Sequence, residues 1–107
     1  MTNFISTGST YWISDEEIRI LEKNATNGDK NSAFKLYQYH MFVSIDQDLE
    51  FKWLEIAAKN GHPIAQSNLA DLFFTQGNKE KAIFWAKKAY RNGAKLPDEL
   101  KILININ

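Results

Sequence analysis

Cysteine is absent from this chain, which removes disulfide frameworks, thiolate metal sites and a cysteine nucleophile together. Net charge is absent as well. Thirteen Lys and Arg balance thirteen Asp and Glu, which argues against nonspecific binding to nucleic acid or to an anionic membrane surface. There are only two prolines, and the five glycines stand singly, so no glycine-rich loop is present to cradle a phosphate. No apolar run approaches the ~20 residues that span a bilayer. Met1 to Thr10 hold no basic cluster and no apolar stretch of signal-peptide length, so a cytoplasmic location is expected.

What is present is the composition of an ordinary globular domain: 107 residues, 44% hydrophobic and 24% charged, enough for one core. The charge is unevenly spread. Residues 1–50 carry four basic and eight acidic side chains, whereas residues 51–107 carry nine and five. An acidic pole carrying Asp15, Glu16, Glu17 and Glu22 is expected at the N-terminal end, able to steer a basic partner electrostatically.

An internal period organises the chain. Leu21-Glu22-Lys23-Asn24-Ala25-Thr26-Asn27-Gly28 returns 33 residues later as Leu54-Glu55-Ile56-Ala57-Ala58-Lys59-Asn60-Gly61. A looser copy, Ala86 to Gly93, comes after a further 32 residues. Each copy ends in Asn-Gly, as a helix does when glycine takes the left-handed conformation past its last turn. Between these stops, Ser32, Leu36 and Tyr39 return as Ala65, Leu69 and Leu72, an i, i+4, i+7 stripe. Helix starts are marked by Ser14 with Glu17 as a capping-box pair, by Asp46, by His62-Pro63 and by Asn78. These signals predict helices over 15–27, 30–43, 47–60, 63–76 and 79–92, then a short one from Pro97 to Leu103. Loops this short make consecutive helices antiparallel, so the fold class is all-α. The organisation is one domain: residues 1–14 as an N-terminal cap, 15–94 as repeats and 95–107 as a C-terminal cap.

The same residues resemble Sel1-like repeats, relatives of the tetratricopeptide repeat. Lys81-Ala82-Ile83-Phe84-Trp85-Ala86-Lys87-Lys88-Ala89 with Asn92-Gly93 is similar to that family's second helix, and Trp53, Ala57 and Gly61 repeat it one unit earlier. Gly28-Asp29 and Ala65-Gln66 with Leu69-Ala70 resemble the first helix. The likeness spans residues 15–94 and implies a short α-solenoid of about two helix pairs that scaffolds or adapts other proteins. One departure is informative: the close helix crossing filled by Ala70 and Ala82 in the second unit holds Tyr37 and Glu50 in the first. Two large polar groups there imply a wider crossing closed by a Tyr37–Glu50 hydrogen bond, or else a widened crossing that forms part of a pocket for a partner. Trp53 and Trp85 are expected at equivalent, largely buried sites.

Catalysis finds little to work with. His40 stands where its repeat counterpart is Phe73, a core position, and His62 is a helix-entry residue beside Pro63. Asp46-Gln47-Asp48-Leu49-Glu50 superficially suggests a calcium loop, but Phe51 stands where such a loop needs a sharply turning glycine, so it reads as helix capping. Neither an enzyme nor a cofactor or metal requirement is expected. The basic last third, interleaved with Phe84, Trp85 and Tyr90, leaves RNA binding as a remote alternative.

The constructive expectation is a binding groove. In helical solenoids the first helix of each pair usually lines the inner face. Away from the Leu36/Leu69 stripe those helices present Asn31, Phe34, Lys35, Gln38, Met41 and Phe42, then Ser67, Asn68, Asp71, Phe74 and Thr75. Exposed Phe34, Met41 and Phe74 beside amides and single charges suit a protein partner. A small adaptor or binder is expected, with a dedicated inhibitor, such as an immunity protein covering a bacterial toxin's active site, as the alternative. The Ile102–Ile106 tail is expected to cap the last repeat and keep the chain monomeric, or else to pair two chains.

Overall fold

The computed structural model describes residues 11–106, so the expected capping residues Phe4 and Ile5 lie outside the described residues. Six helices succeed one another there: α1 (Asp15–Thr26), α2 (Lys30–Phe42), α3 (Gln47–Lys59), α4 (Pro63–Thr75), α5 (Lys79–Arg91) and α6 (Asp98–Leu103). Among the described residues there is no strand. The closest packing is α2 on α3 and α4 on α5, which makes these the two repeat pairs; α1 precedes them and α6 closes the far end. The result is an elongated stack of 48 × 32 × 23 Å.

Local chemistry sets the boundaries. Gly28, at φ +103°, donates to the Ala25 carbonyl while Asp29 donates to Asn24, the paired bonds of a Schellman stop. Gly61 with His62 and Gly93 with Ala94 repeat the arrangement. At the starts, Ser14 Oγ, Asp46 Oδ1 and Asn78 Oδ1 each accept the backbone N–H three residues on, at 3.1, 3.1 and 3.2 Å. His62 Nδ1 does the same for Ala65 N–H at 3.2 Å. The capping box forms on one side only, because the Glu17 carboxylate reaches Lys35 Nζ at 3.1 Å instead of turning back.

The α2–α3 turn departs from its copy. Where the α4–α5 turn has Gly77 at φ +81°, the earlier one has Ile45 at φ +52°, and that side chain is 69% exposed. A β-branched residue in the left-handed region costs about 1–2 kcal/mol. Here no burial offsets it.

The core runs through both pairs. Ala33, Leu36, Trp53, Ala57, Ala65 and Leu69 bury together in the first cluster, and Ala70, Ala86, Ala89, Leu96 and Leu100 in the second. Gln66 ties the elements across repeats: its Nε2 donates to the Ala58 carbonyl at 3.0 Å and its Oε1 accepts from Asn92 Nδ2 at 2.9 Å. The counterpart of Gln66 one repeat earlier is Ala33, which offers no acceptor. Asn60 accordingly turns back to the Ile56 carbonyl of its own helix. Trp53 is 2% exposed, as expected, but Trp85 is only half-buried. Among the described residues no third pair follows α5; Trp85 packs against the second cluster together with Leu103, Ile104 and Ile106.

The end segments divide. Ile13 is buried while Trp12 is 63% exposed, so only one of these two closes the N-terminal side. At the other end Leu96 and Leu100 are buried against α5, and Ile102 points outward at 71% exposure. No described helix is long and apolar enough to cross a membrane.

Candidate protein-binding face

The eleven residues expected to line a groove do not form one continuous surface. On α2, Asn31, Lys35 and Phe42 are exposed, but two of them are engaged: Lys35 in the ion pair with Glu17, and Phe42 in a ring stack with Tyr11 at 4.5 Å. Phe34 and Met41 are half-buried, which corrects their expected exposure. Phe34 lies flat on the His62 ring at 4.1 Å, covered by the turn that enters the next pair, and Met41 packs on the core. Gln38 is half-buried.

On α4 the pattern is more open. Asp71, Phe74 and Thr75 are exposed and Asn68 is half-buried. Ser67 is 7% exposed, a second correction, since it occupies the slot that Phe34 fills in the first pair and lies under the α5–α6 connection. A hydroxymethyl group fills less of that slot than a benzyl ring. A cavity of about 670 Å³ remains there, lined by Ile64, Ser67, Asn68, Lys95 and Leu96 among others. Ile64 is 54% exposed and is absent from the expected groove, although it stands 33 residues after Asn31 on the same face.

The other side of α4 holds a cleft. Tyr37 from α2, Glu50 and Leu54 from α3, and Asn68, Asp71, Leu72 and Thr75 from α4 surround about 280 Å³. A further 330 Å³ adjoins it, sharing Glu50, Leu54 and Leu72 and adding Gln47, Phe51 and Gln76. Tyr37 and Glu50 thus face one space, but the expected hydrogen bond between them is replaced. The Tyr37 hydroxyl accepts from Asn68 Nδ2 at 3.3 Å, 31 residues away, and Asn68 is its one hydrogen-bond partner among the described residues. Burial raises the Tyr37 phenol above its ordinary value; the Asn68 bond opposes this and the Glu50 carboxylate adds to it. Both side chains border an open cleft at this crossing. Ala70 and Ala82, both 0% exposed, show how small residues close the same crossing in the second pair.

The acidic residues expected to steer a partner sit on α1. Asp15 and Glu16 are exposed in its first turn, Glu17 is held by Lys35, and Glu22 is half-buried. At the other end the aromatic rings of α5 have cations of their own: Lys88 Nζ stands 5.4 Å over Phe84 and 6.0 Å over Trp85. Among the described residues no three His, Asp or Glu side chains stand close enough to share a metal ion.

Both histidines are packed. His40 is 6% exposed with Nδ1 2.8 Å from Ser44 Oγ, and its Nε2 is buried without a partner among the described residues. Burial lowers its pKa below 6.5, with Asp46 and Glu22 opposing. Burial lowers that of His62 likewise, assisted by Lys30. A histidine that resists protonation when folded gives the unfolded chain the greater proton uptake below pH ~6.5. Stability should therefore be complete above that pH and fall as the pH drops through the two folded values. Protonation of His62 at Nδ1 also removes the acceptor for Ala65 N–H. The melting temperature is expected to be lower at pH 5 than at pH 7.5, with a smaller difference in His62→Asn, whose amide oxygen caps at either pH. Equal pH dependence in the two proteins would show that His62 carries none of it.

No protein-family model matches the chain, and no solved structure matches it. It is similar to the uncharacterized protein YibG of Escherichia coli (strain K12), with 34% identity over 95 residues that cover 82% of this chain and 62% of that protein. The chain therefore spans less than two thirds of that relative's length.

Proposed function

We propose that the chain is a protein-interaction module of the Sel1-like, tetratricopeptide-related kind, binding its partner on the face that α4 shares with the clefts on either side of it. One observation carries this reading: α4 presents Ile64, Asn68, Asp71, Phe74 and Thr75 between two open clefts, so apolar anchors and polar groups share one accessible strip. Interfaces take their energy from a few such anchors and their orientation from the polar groups beside them. The α2 residues contribute less than their sequence positions suggest, because Phe34, Lys35 and Phe42 already have neighbours within the chain.

The dedicated-inhibitor reading draws on the acidic first turn of α1. If the partner is a basic toxin domain, the association rate should fall steeply with added salt, and Asp15→Asn with Glu16→Gln should slow it. A small adaptor in the cytoplasm would show a weak salt dependence. The test of the shared reading is an alanine scan of α4 and α2 against a partner first captured from a lysate and then purified. Two or three positions among Ile64, Asn68, Asp71 and Phe74 should each cost about 2 kcal/mol or more of binding. Normal binding by every α4 variant, with loss in variants of α5 or α6, places the interface on the opposite face.

A further inference from the structure

Tyr37 and Glu50, which the second repeat replaces by Ala70 and Ala82, both line the cleft between α3 and α4. Tyr37 is 6% exposed and lines the cleft, yet among the described residues its hydroxyl only accepts, from Asn68, and its own proton meets no acceptor. Glu50 and Asp71 line the same cleft from α3 and α4. Among the described residues, no Lys, Arg or His nitrogen lies within 4 Å of either carboxylate. Leu54 and Leu72 supply apolar walls, and Phe51, 36% exposed, extends them into the adjoining space. Next along this edge, Asp46 and Asp48 share a shallow recess with the strained, outward-pointing Ile45.

We infer that this cleft receives an arginine side chain of the partner protein, its methylenes along Leu54 and Leu72 and its guanidinium between Glu50 and Asp71. The inference rests on the protein-binding reading above and names the chemistry that the α4 face selects. Charge complementarity chooses a cation, since two carboxylates facing one space without a counter-ion favour one. The shape and the apolar walls choose arginine over lysine. A guanidinium is less strongly hydrated than an ammonium and presents a planar fork of donors to carboxylates on two sides. Asn68, whose amide already spans to Tyr37, offers its carbonyl oxygen as a further acceptor. The Tyr37 ring is the floor of the cleft. An apolar residue flanking the arginine would meet Ile45 or Phe51 at the rim.

The experiment is a nuclear magnetic resonance titration with a capped peptide, Ala-Leu-Arg-Leu-Ala, and two controls carrying glutamine or lysine in place of arginine. The arginine peptide should shift the Asn68 side-chain amide and the backbone amides around Tyr37, Glu50 and Asp71 saturably, at about millimolar affinity for one anchored residue. The lysine peptide should bind several-fold more weakly and the glutamine peptide not measurably. Glu50→Gln with Asp71→Asn, checked for an unchanged helical spectrum and melt, should weaken the arginine peptide at least tenfold, and Tyr37→Phe should weaken it less. Equal shifts from the arginine and glutamine peptides, shifts centred elsewhere, or none up to 10-fold above the millimolar range each overturn the assignment. The two readings fail separately. A purified partner that depends on Ile64 and Phe74 but binds the double carboxamide variant normally refutes the arginine while leaving the binding face in place. A partner indifferent to every α4 substitution refutes the face itself.

Discussion

Replacing Trp53 by alanine should cost about 3–5 kcal/mol, a large share of the stability of a domain this size. The indole is 2% exposed and packs with Leu36, Ala57 and Leu69 where the first pair meets the second. Its Nε1 is buried with no acceptor among the described residues, so its contribution comes from packing and not from a hydrogen bond. Trp53→Phe should therefore cost much less than the volume change alone suggests, because it removes an unsatisfied donor as well. Trp85→Ala should cost about half as much as Trp53→Ala, in line with its half-buried ring. Thermal and urea melts followed by far-ultraviolet circular dichroism measure all three. Equal losses at Trp53 and Trp85 would mean that the tail covers Trp85 as completely as a further repeat would.

A chain ending at Ala94 should lose about 3–6 kcal/mol. Leu96 and Leu100 are 6% and 0% exposed, and a fully buried leucine is worth about 1.5–3 kcal/mol. The shortened chain would also bare Ala86, Ala89 and one side of Trp85, a contiguous apolar end surface of the kind that solenoids must cap. Light scattering should then show self-association at concentrations where the full chain is monomeric. A shortened chain that melts with the full one and stays monomeric would show that α6 caps nothing. The outward-pointing Ile102 is not part of this expectation, and Ile102→Asp should leave the melt unchanged.

The helices were legible because their signals are local. The Asn-Gly stops at Asn27, Asn60 and Asn92, the caps at Ser14, Asp46 and Asn78, and the 33-residue return of Leu36 at Leu69 act within one turn or one repeat, and the observed bounds fall within a residue of those signals. The features left open depend on residues a repeat apart. Tyr37 and Glu50 stood out as misfits at a close crossing, but nothing local told that Asn68, on the next pair, would take the hydroxyl. Period alone made Trp85 the equal of Trp53, whereas burial depends on the next element of the stack, and beyond α5 that element is one short helix. The groove residues suffered from the same cause. Phe34 and Ser67 share a repeat position, yet one finds His62 to lie against and the other only the α5–α6 connection. A helical period says which face a residue is on; it does not say whether the next turn of chain covers it.

Because each helix packs chiefly on its neighbours in sequence, the chain is knitted over short distances. Among the described residues the longest side-chain hydrogen bonds, Tyr37 to Asn68, Gln66 to Asn92 and Lys35 to Glu17, join residues only 31, 26 and 18 apart. Such a chain closes no large loops on its way to the native state, which places it among fast-folding topologies. The same economy weakens the ends. α6 packs chiefly on α5, so amide protons of α6 should exchange with solvent well before those of α3 and α4, which have partners on both sides. A ligand seated between α3 and α4 would then slow exchange in the middle of the stack while leaving the ends free to fray.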